Sequence, residues 1–285
     1  MHLGNARTAL LAWLQARVLG GRILLRVDDL DQQRCQERFV TAILDDLAWL
    51  GLNFDAASPR PSHQAAAYQQ AIERLAQAGM VYECYCSRAE VRQAASAPHG
   101  AEPGRYPGRC RDLSARERQA RRDAGRRPAL RLRVAAGVIS FRDQVLGEVD
   151  QDVDATVGDF VIRRSDGVCA YQLAVVVDDA ASGVTHVLRG EDLACSTPRQ
   201  ILLQRLLGVA TPTYAHVPLW RAPTGQRLAK RDRAGALRAA RDAGADPHRI
   251  IGDLAASIGL VADGSVISAS DLVSVCGRID PPWAS

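Results

Sequence analysis

Lysine is almost absent from this 285-residue sequence. Lys230 is the only lysine among its 36 lysine and arginine residues. A compact, flexible ammonium and a planar guanidinium contact phosphate oxygens in different ways. Because the sequence otherwise uses arginine, Lys230 is a candidate phosphate contact. The alternative is that this one lysine was retained by chance.

Long apolar segments and a disulfide framework are also lacking. No apolar run approaches the roughly 18 to 20 residues that span a bilayer, and no basic-then-apolar leader opens the chain. The seven cysteines are odd in number and scattered, which argues against paired disulfides. With 47% hydrophobic and 24% charged residues, the composition is that of an ordinary globular protein. We expect a cytoplasmic monomer with no membrane partner.

Helical and strand patterns alternate in the first 80 residues. Apolar spacing predicts helices over 6–19, 36–50 and 63–79, with a short strand over 23–27. Such alternation is typical of a parallel sheet with crossover helices. Since a doubly wound sheet normally opens with a strand, we expect an α/β, Rossmann-type doubly wound parallel sheet whose first strand is missing.

The pattern changes after residue 80 and changes back near 157. A loop over 95–109, an arginine-rich helix and two strands predict an inserted α+β subdomain over 81–156. Strands are then expected over 157–167, 169–183 and 184–193, followed by a helix over 197–207 and a strand from Tyr214. The predicted division is a catalytic domain in two halves, 1–80 and 157–235, with that insertion and a helical C-terminal region over 236–285.

Two short motifs at opposite ends of the catalytic domain suit phosphate chemistry. His2-Leu3-Gly4-Asn5 stands just ahead of the first helix, where a glycine permits close backbone approach and the helix N-terminus favours anions. Residues 227–231, RLAKR, form a polar basic loop that carries Lys230. Each motif alone is weak, because a terminal tail or a solvated basic loop would look the same.

Together the two motifs resemble those of the class I aminoacyl-tRNA synthetases, with an HIGH-type motif at 2–5 and a KMSKS-type loop at 227–231. Four further segments resemble the glutamyl branch: LLRVDDLD (24–31), DFVIRRSDGVCAYQLAVVVDD (159–179), GVTHVLRGEDL (183–193) and YAHVPL (214–219). The chain continues for only about 50 residues after the loop, a short plan that resembles the glutamyl-queuosine tRNA(Asp) synthetase family. Members of that family activate L-glutamate with ATP and attach it to the queuosine base of tRNA(Asp).

The resemblance implies a role for each matching residue. His2 and Lys230 would be catalytic, acting on the phosphates of ATP and its Mg²⁺, and the ATP-binding set would be His2, Gly4, Asn5 and Lys230. The glutamate-binding set would be Asp28, Tyr171 and Arg189, with the arginine able to grip a carboxylate bidentately. Alternatives remain: Tyr171 could be a core residue of a strand, and Arg189 could pair with Glu191 or Asp192.

The cysteine spacing predicts a structural zinc site in the insertion. Cys84, Cys86 and Cys110 supply three thiolates, and tetrahedral Zn²⁺ needs one further ligand. The resemblance implies Tyr106 as that ligand, whereas His99 is the more usual zinc ligand chemically. Three reduced, partly buried cysteines without metal are the alternative.

Arginines far outnumber acidic residues over 105–133. Such a stretch beside a metal-stapled insertion suits tRNA phosphates, and a merely solvated helix face would have the same composition. Two other functions stay open. One is a catalytic fragment of a glutamyl-tRNA synthetase that charges tRNA(Glu), and the other is an inactive tRNA- or nucleotide-binding paralogue.

The sequence departs from the family at its start. The family's first strand and its R-x-x-P-S-P-[TS]-G loop have no counterpart here, Asp28 stands where glutamate is usual, and the loop reads RLAKR instead of KLSKR. Loss of a central strand would cost more than the roughly 5–15 kcal/mol net stability of a typical domain.

We therefore predict that a chain starting at Met1 is poorly stable and has little activity. Extending it with the codons upstream of Met1 should raise glutamate-dependent exchange between ATP and pyrophosphate. An extended chain with no gain in exchange would contradict this expectation.

Overall fold

The computed structural model describes residues 1–31, 35–87, 89–91, 105–220, 236–279 and 283. Its first element, helix α1 (Leu3–Val18), confirms the helix predicted over 6–19. It begins three residues earlier because His2 caps it: the ring Nδ1 accepts the backbone N–H of Asn5 at 3.1 Å. The chain leaves the helix through Gly20, whose φ of 62° lies in the left-handed region that favours glycine.

The other early elements also follow the sequence pattern. Helices α2 (Glu37–Trp49) and α3 (Ala65–Gln77) match the two predicted helices, and a 3₁₀ turn (Pro61–His63) precedes the second. The predicted strand shortens to β1 (Leu24–Leu25), which pairs in parallel with β2 (Ala56–Ala57).

A three-stranded antiparallel sheet follows. Its strands are β3 (Val81–Cys84), β4 (Ala129–Leu132) and β7 (Val161–Arg163), in the order β3-β4-β7. The arginine-rich helix α4 (Ala115–Asp123) connects β3 to β4, and its start is fixed by a capping box between Ser114 and Glu117. A short helix, α5 (Val153–Thr156), lies just before β7.

The four-stranded sheet is mixed. Strands β5 (Val138–Asp143), β6 (Gly147–Asp152), β8 (His186–Gly190) and β9 (Thr213–Val217) stand in the order β6-β5-β9-β8. The β5–β6 hairpin is antiparallel, whereas β9 pairs in parallel with both β5 and β8. The predicted strands over 184–193 and from Tyr214, and the predicted helix over 197–207, are all confirmed.

The strand predicted over 169–183 is wrong. These residues form helix α6 (Tyr171–Ala181), which precedes helix α7 (Thr197–Leu207). The run of three valines favours a strand by local propensity, but Leu173 and Val176 are buried three residues apart, as on one face of a helix. Packing of α6 against α3 and α7 overrides the local preference.

The structure also corrects the prediction of a single doubly wound parallel sheet. The described strands form three small sheets, and parallel pairing is limited to β1–β2, β5–β9 and β8–β9. Within the described residues β1 pairs only with β2, and β8 only with β9. Leu24 of β1 and four residues of β8 line one cavity of about 830 Å³, together with residues of α1 and α6. The expected continuous sheet is interrupted at this cavity.

The C-terminal helices share a core with α1. Helices α8 (Ala236–Asp242), α9 (Pro247–Ala256) and α10 (Ala269–Ile279) contribute Leu237, Ile251, Leu254 and Leu272, all fully buried with Leu10 and Leu14 of α1. A second core joins α3, α6, α7 and β5. Pairing of β4 with β7 and of β5 with β9 crosses residue 156, and the division into four segments stays a prediction. No described helix is long and apolar enough to cross a bilayer.

Candidate active site

The three residues predicted to bind glutamate line one cavity, the one between β1 and β8. Asp28 follows β1 by three residues, Tyr171 is the first residue of α6, and Arg189 lies in β8. Tyr171 is 40% exposed, so the alternative of a core tyrosine does not hold. The structure thus brings together side chains that are 143 and 18 residues apart in sequence.

Two polar contacts hold the segment after β1 against the rest of the cavity. Arg26 forms a 2.6 Å ion pair with Asp179 of α6, and both line the cavity. Asp29 is buried and accepts hydrogen bonds from the Ser62 backbone N–H at 2.8 Å and from its hydroxyl at 2.6 Å. Burial alone would raise the pKa of Asp29, but the bonds from Ser62 outweigh it and lower that pKa. Asp28, between these anchors, stays exposed.

Arg189 is buried and held by three polar side chains. Its Nε donates to Nε2 of His216 at 3.0 Å, and its Nη2 donates to the Thr197 hydroxyl at 2.7 Å and to Oε1 of Gln200 at 2.8 Å. These contacts, and not an ion pair with Glu191 or Asp192, fix Arg189 among the described residues. Because Nε and Nη2 already have acceptors, a bidentate grip on a carboxylate would require Nη2 to give up one of them.

Asp143 completes this network behind His216. Its Oδ2 lies 2.5 Å from Nδ1 of the buried imidazole. Burial alone would favour the neutral acid, but hydrogen bonds from the His216 ring and from nearby backbone N–H groups outweigh it and lower the pKa of Asp143. The carboxylate is therefore ionised although it is almost fully buried.

Three of the four predicted phosphate-binding residues are near the start of α1 and do not line that cavity. Gly4 allows the His2 ring to fold back on the start of α1, since a Cβ at residue 4 would lie 3.3 Å from the ring. His2, Gly4 and Asn5 do not line the cavity between β1 and β8. Lys230 and the rest of the loop at 227–231 lie outside the described residues.

The described chain on each side of that loop is anchored to the N-terminal residues. On the near side, a guanidinium nitrogen of Arg7 donates to the carbonyl of Pro218, and Arg7 stacks over Trp220 at 5.7 Å. On the far side, the backbone N–H of Leu237 donates to the carbonyl of Met1 at 3.4 Å. Described residues before and after that loop thus contact Arg7 and Met1, near the start of α1.

The three predicted zinc-binding cysteines come together. The sulfurs of Cys84, Cys86 and Cys110 all lie within 4.8 Å of one another, with Cys86 and Cys110 3.6 Å apart. The Tyr106 hydroxyl lies 3.4 Å from the Cys84 sulfur and 3.8 Å from the Cys86 sulfur. Ligand distances of about 2.0–2.3 Å give tetrahedral edges of about 3.5–3.8 Å, so these four atoms fit one zinc ion. His99 lies outside the described residues.

Positive charge lies next to this cluster. The Arg131 guanidinium stacks on the Tyr106 ring at 3.7 Å and donates to the carbonyl of Asp159 at 2.7 Å. Hydrogen bonds with the Cys110 and Cys86 thiols, helped by Tyr106 and the charge of Arg131, hold the pKa of Cys84 below its usual range. The environment thus favours a thiolate, the form that binds metals.

A second cavity connects the cysteine cluster to the predicted glutamate residues. It has a volume of about 1370 Å³, and Asp28 and Tyr171 line it together with Cys84 and Cys86. Phe39 of α2 also lines it and is 51% exposed. An exposed aromatic ring at the wall of a cavity can stack on a planar ligand such as a nucleobase.

The arginine-rich helix α4 has no buried residue. Of the arginines in this helix or just after it, Arg122 pairs with Glu83 at 2.6 Å and Arg126 with Glu90 at 3.0 Å. Exposed Arg116, Arg121 and Arg127 form no ion pair with another described residue. The helix therefore presents net positive charge to solvent.

Sequence reasoning assigned no role to the residues around Arg189. His216 stands within the segment YAHVPL, but nothing in its neighbours signals a contact with an arginine. Asp143, Thr197 and Gln200 carry no motif at all. Strand pairing brings Asp143 and His216 to Arg189, and helix α7 contributes Thr197 and Gln200.

Parallel strand pairs joined by helices, with ligand-type residues at the carboxyl ends of β1 and β8, define a mixed α/β fold. The model of one such family, described as "tRNA synthetases class I (E and Q), catalytic domain", matches residues 1–257. The chain belongs to this family.

Relatives with two different names are similar to this chain. The "Glutamyl-Q tRNA(Asp) synthetase" of Symbiobacterium thermophilum is 47% identical over 96% of this chain and 88% of its own length. The protein of that name from Nocardia farcinica is 52% identical over 91% of this chain and 81% of its own length. A "Glutamate--tRNA ligase" of Synechococcus sp. (strain JA-3-3Ab) is 42% identical over 82% of this chain but only 49% of its own length.

A solved structure shares the fold. The glutamate-tRNA synthetase of Elizabethkingia anophelis superposes with a TM-score of 0.81 at 25% identity. The match covers 96% of this chain and 62% of that synthetase, so the chain spans less than two thirds of the longer enzyme.

Close backbone packing next to the cysteine cluster gives a testable prediction. Gly158 has a φ of 68°, and a Cβ there would lie 2.8 Å from the backbone oxygen of Tyr106. Gly147 has a φ of 79° and no atom within 4 Å of such a Cβ. Both Gly→Ala variants should lose about 1–3 kcal/mol to backbone strain, and Gly158→Ala should lose a further 1–3 kcal/mol, roughly, to the clash.

The measurement is the free energy of unfolding in denaturant, together with the alkylation rate of Cys110 by mass spectrometry. Alkylation should accelerate only in Gly158→Ala. Equal losses of stability in the two variants would show that the contact with Tyr106 does not matter.

Proposed function

We propose that this protein activates L-glutamate with ATP and transfers it to the queuosine base of tRNA(Asp). The observation that carries the proposal is the convergence of Asp28, Tyr171 and Arg189 on one cavity. An acid, a phenol and a guanidinium there suit the ammonium and the two carboxylates of glutamate. Relatives named for this reaction, which this chain matches over most of their length, support the choice.

The first step forms glutamyl-adenylate. The side-chain carboxylate of the substrate pairs with Arg189, and its ammonium pairs with Asp28. The α-carboxylate then attacks the α-phosphorus of ATP, and the bond to pyrophosphate breaks. His2 and Lys230 stabilise the charge that develops on the phosphates. The anchoring of Pro218 and Leu237 beside the start of α1 supports the approach of the Lys230 loop to His2. Mg²⁺, when bound with ATP, supplies further charge neutralisation.

The second step transfers the glutamyl group to the base. A hydroxyl of the queuosine cyclopentenediol attacks the activated carbonyl carbon, AMP leaves with the bonding electrons, and the hydroxyl proton passes to the departing phosphate. The larger cavity suits the acceptor because it shares Asp28 and Tyr171 with the glutamate site. Phe39 offers a face on which the base can stack, and the exposed arginines of α4 suit the tRNA backbone.

The cysteine cluster fits a structural zinc ion held by Cys84, Cys86, Cys110 and Tyr106. A zinc ion there would tie the end of β3 to Tyr106 and Cys110. Cys84 and Cys86 also line the larger cavity, so the metal would fix one of its walls and take no part in the transfer itself.

The acceptor assay tests the function. Glutamate-dependent exchange between ATP and pyrophosphate should occur without tRNA. Labelled glutamate should then appear only on tRNA(Asp) that contains queuosine, with queuosine-free tRNA(Asp) as the matched control and Lys230→Ala as the inactive enzyme. Label on the 3′ end of tRNA(Glu) would instead show a glutamyl-tRNA synthetase fragment, and absence of exchange would show an inactive paralogue.

Metal analysis tests the zinc site. We expect one zinc per chain, its loss in Cys110→Ser, and its retention in Cys195→Ser, which changes an exposed cysteine outside the cluster. Tyr106→Phe should bind zinc at least about tenfold more weakly, because loss of one ligand opens the site. Weakening by His99→Ala but not by Tyr106→Phe would assign the fourth ligand to the histidine.

A further inference from the structure

A row of three polar residues crosses the four-stranded sheet beside the glutamate cavity. Asp143, His216 and Arg189 come from the neighbouring strands β5, β9 and β8, and Arg189 is paired in register with His216. The row is continuous, with 2.5 Å between Asp143 Oδ2 and His216 Nδ1 and 3.0 Å between His216 Nε2 and Arg189 Nε. All three side chains are buried.

The chemistry of the row fixes where its protons lie. A guanidinium is always charged and can only donate hydrogen bonds. The Nε2 atom of His216, which faces Arg189 Nε, must therefore carry a lone pair. The imidazole is then neutral, with its proton on Nδ1, from which it donates to Asp143.

Asp143 enforces this tautomer because an ionised carboxylate can only accept. Its Oδ1 accepts the backbone N–H groups of Val145 at 3.0 Å, Leu146 at 2.9 Å and His216 at 3.1 Å. With Oδ1 occupied, Oδ2 is the oxygen left for the imidazole. The carboxylate thus holds the ring in both orientation and protonation state, much as second-shell carboxylates orient histidines elsewhere.

The other side of the Arg189 guanidinium is also fixed. Nη2 donates to Thr197 and Gln200, which lie one turn apart on α7. Gln200 is in turn held by Gln172 of α6 at 2.8 Å. Among the described residues none accepts a hydrogen bond from Nη1, which leaves this nitrogen for a ligand.

We propose that Asp143 and His216 are positioning residues that orient Arg189 so that its Nη1 receives the side-chain carboxylate of the substrate. The proposal rests on the proposed glutamate activation and deepens it. The pair acts only through Arg189 and does not touch glutamate. Only Nη1 is then left to contact the carboxylate, since Nε and Nη2 already donate to protein acceptors.

The variant Asp143→Asn tests the tautomer. Its amide oxygen should stay on the three backbone N–H groups, so its amide nitrogen would donate to Nδ1 of His216. The imidazole would then carry its proton on Nε2, where it could bond to the Thr197 hydroxyl 3.0 Å away, and Arg189 Nε would lose its acceptor. We expect the KM for glutamate to rise about 10- to 100-fold, while kcat of exchange and the KM for ATP stay within about twofold.

A second substitution provides a rescue. In Asp143→Asn/His216→Gln, the glutamine oxygen can accept from Arg189 Nε without any tautomer, so much of the affinity for glutamate should return. His216→Phe, which keeps the ring but removes the acceptor, should raise the KM as Asp143→Asn does. Asp246→Asn and His248→Gln, at the exposed start of α9, are the matched controls and should leave the KM unchanged.

The tautomer of His216 can also be measured by NMR, without any assay of enzyme activity. The ¹⁵N shifts of the labelled wild-type imidazole, assigned with His216→Gln, should show the neutral Nδ1–H form, and Asp143→Asn should switch it to Nε2–H. The other tautomer in the wild type, or an unchanged KM for glutamate in a folded Asp143→Asn, would overturn the positioning role alone. Absence of glutamate-dependent exchange in the wild type would overturn the proposed function and with it the ligand assigned to Nη1.

Discussion

The buried guanidinium of Arg189 needs hydrogen-bond acceptors, and this need determines how the residues around it are arranged. Moving a guanidinium out of water costs several kcal/mol unless its N–H groups find partners. Arg189 finds them in a ring of neutral groups, with the balancing carboxylate of Asp143 one residue further away. The arrangement neutralises the charge across the sheet without placing an acid against Arg189. A guanidinium whose counter-ion is kept at a distance can still take a carboxylate ligand.

The same requirement explains why this part of the sheet is mixed. Strand β9 must lie between β5 and β8 for its His216 to reach Asp143 on one side and Arg189 on the other. Parallel pairing of β8 with β9 puts Arg189 opposite His216. A shift of register by one residue would turn the arginine to the other face. The pairing of β5, β9 and β8 therefore also fixes which polar contacts Arg189 makes beside the cavity.

Local patterns were enough to predict most elements, and long-range contacts explain what they missed. The helices α1, α2, α3 and α7 lie close to where their apolar spacing predicts them. The three consecutive valines of α6 favour a strand locally, but these residues form a helix because they pack against α3 and α7. The Arg189 network joins residues from three strands and a helix that are up to 73 positions apart, and no window of sequence contains it. The cysteine cluster could be predicted, because its spacing is itself the signal.

The interrupted sheet sets how firmly the two sides of the glutamate cavity are joined. In a continuous sheet, backbone hydrogen bonds would fix Asp28 relative to Arg189. Here side chains hold the residues after β1 and β2 to the end of α6. Arg26 pairs with Asp179 at 2.6 Å, and the Ser58 and Ser182 hydroxyls lie 3.2 Å apart. Partly exposed pairs of this kind contribute only about 0–1 kcal/mol each. Arg189 is thus held rigidly by a buried network, whereas Asp28 is held by weaker ties, so the pocket is more firmly set for the side-chain carboxylate than for the ammonium group.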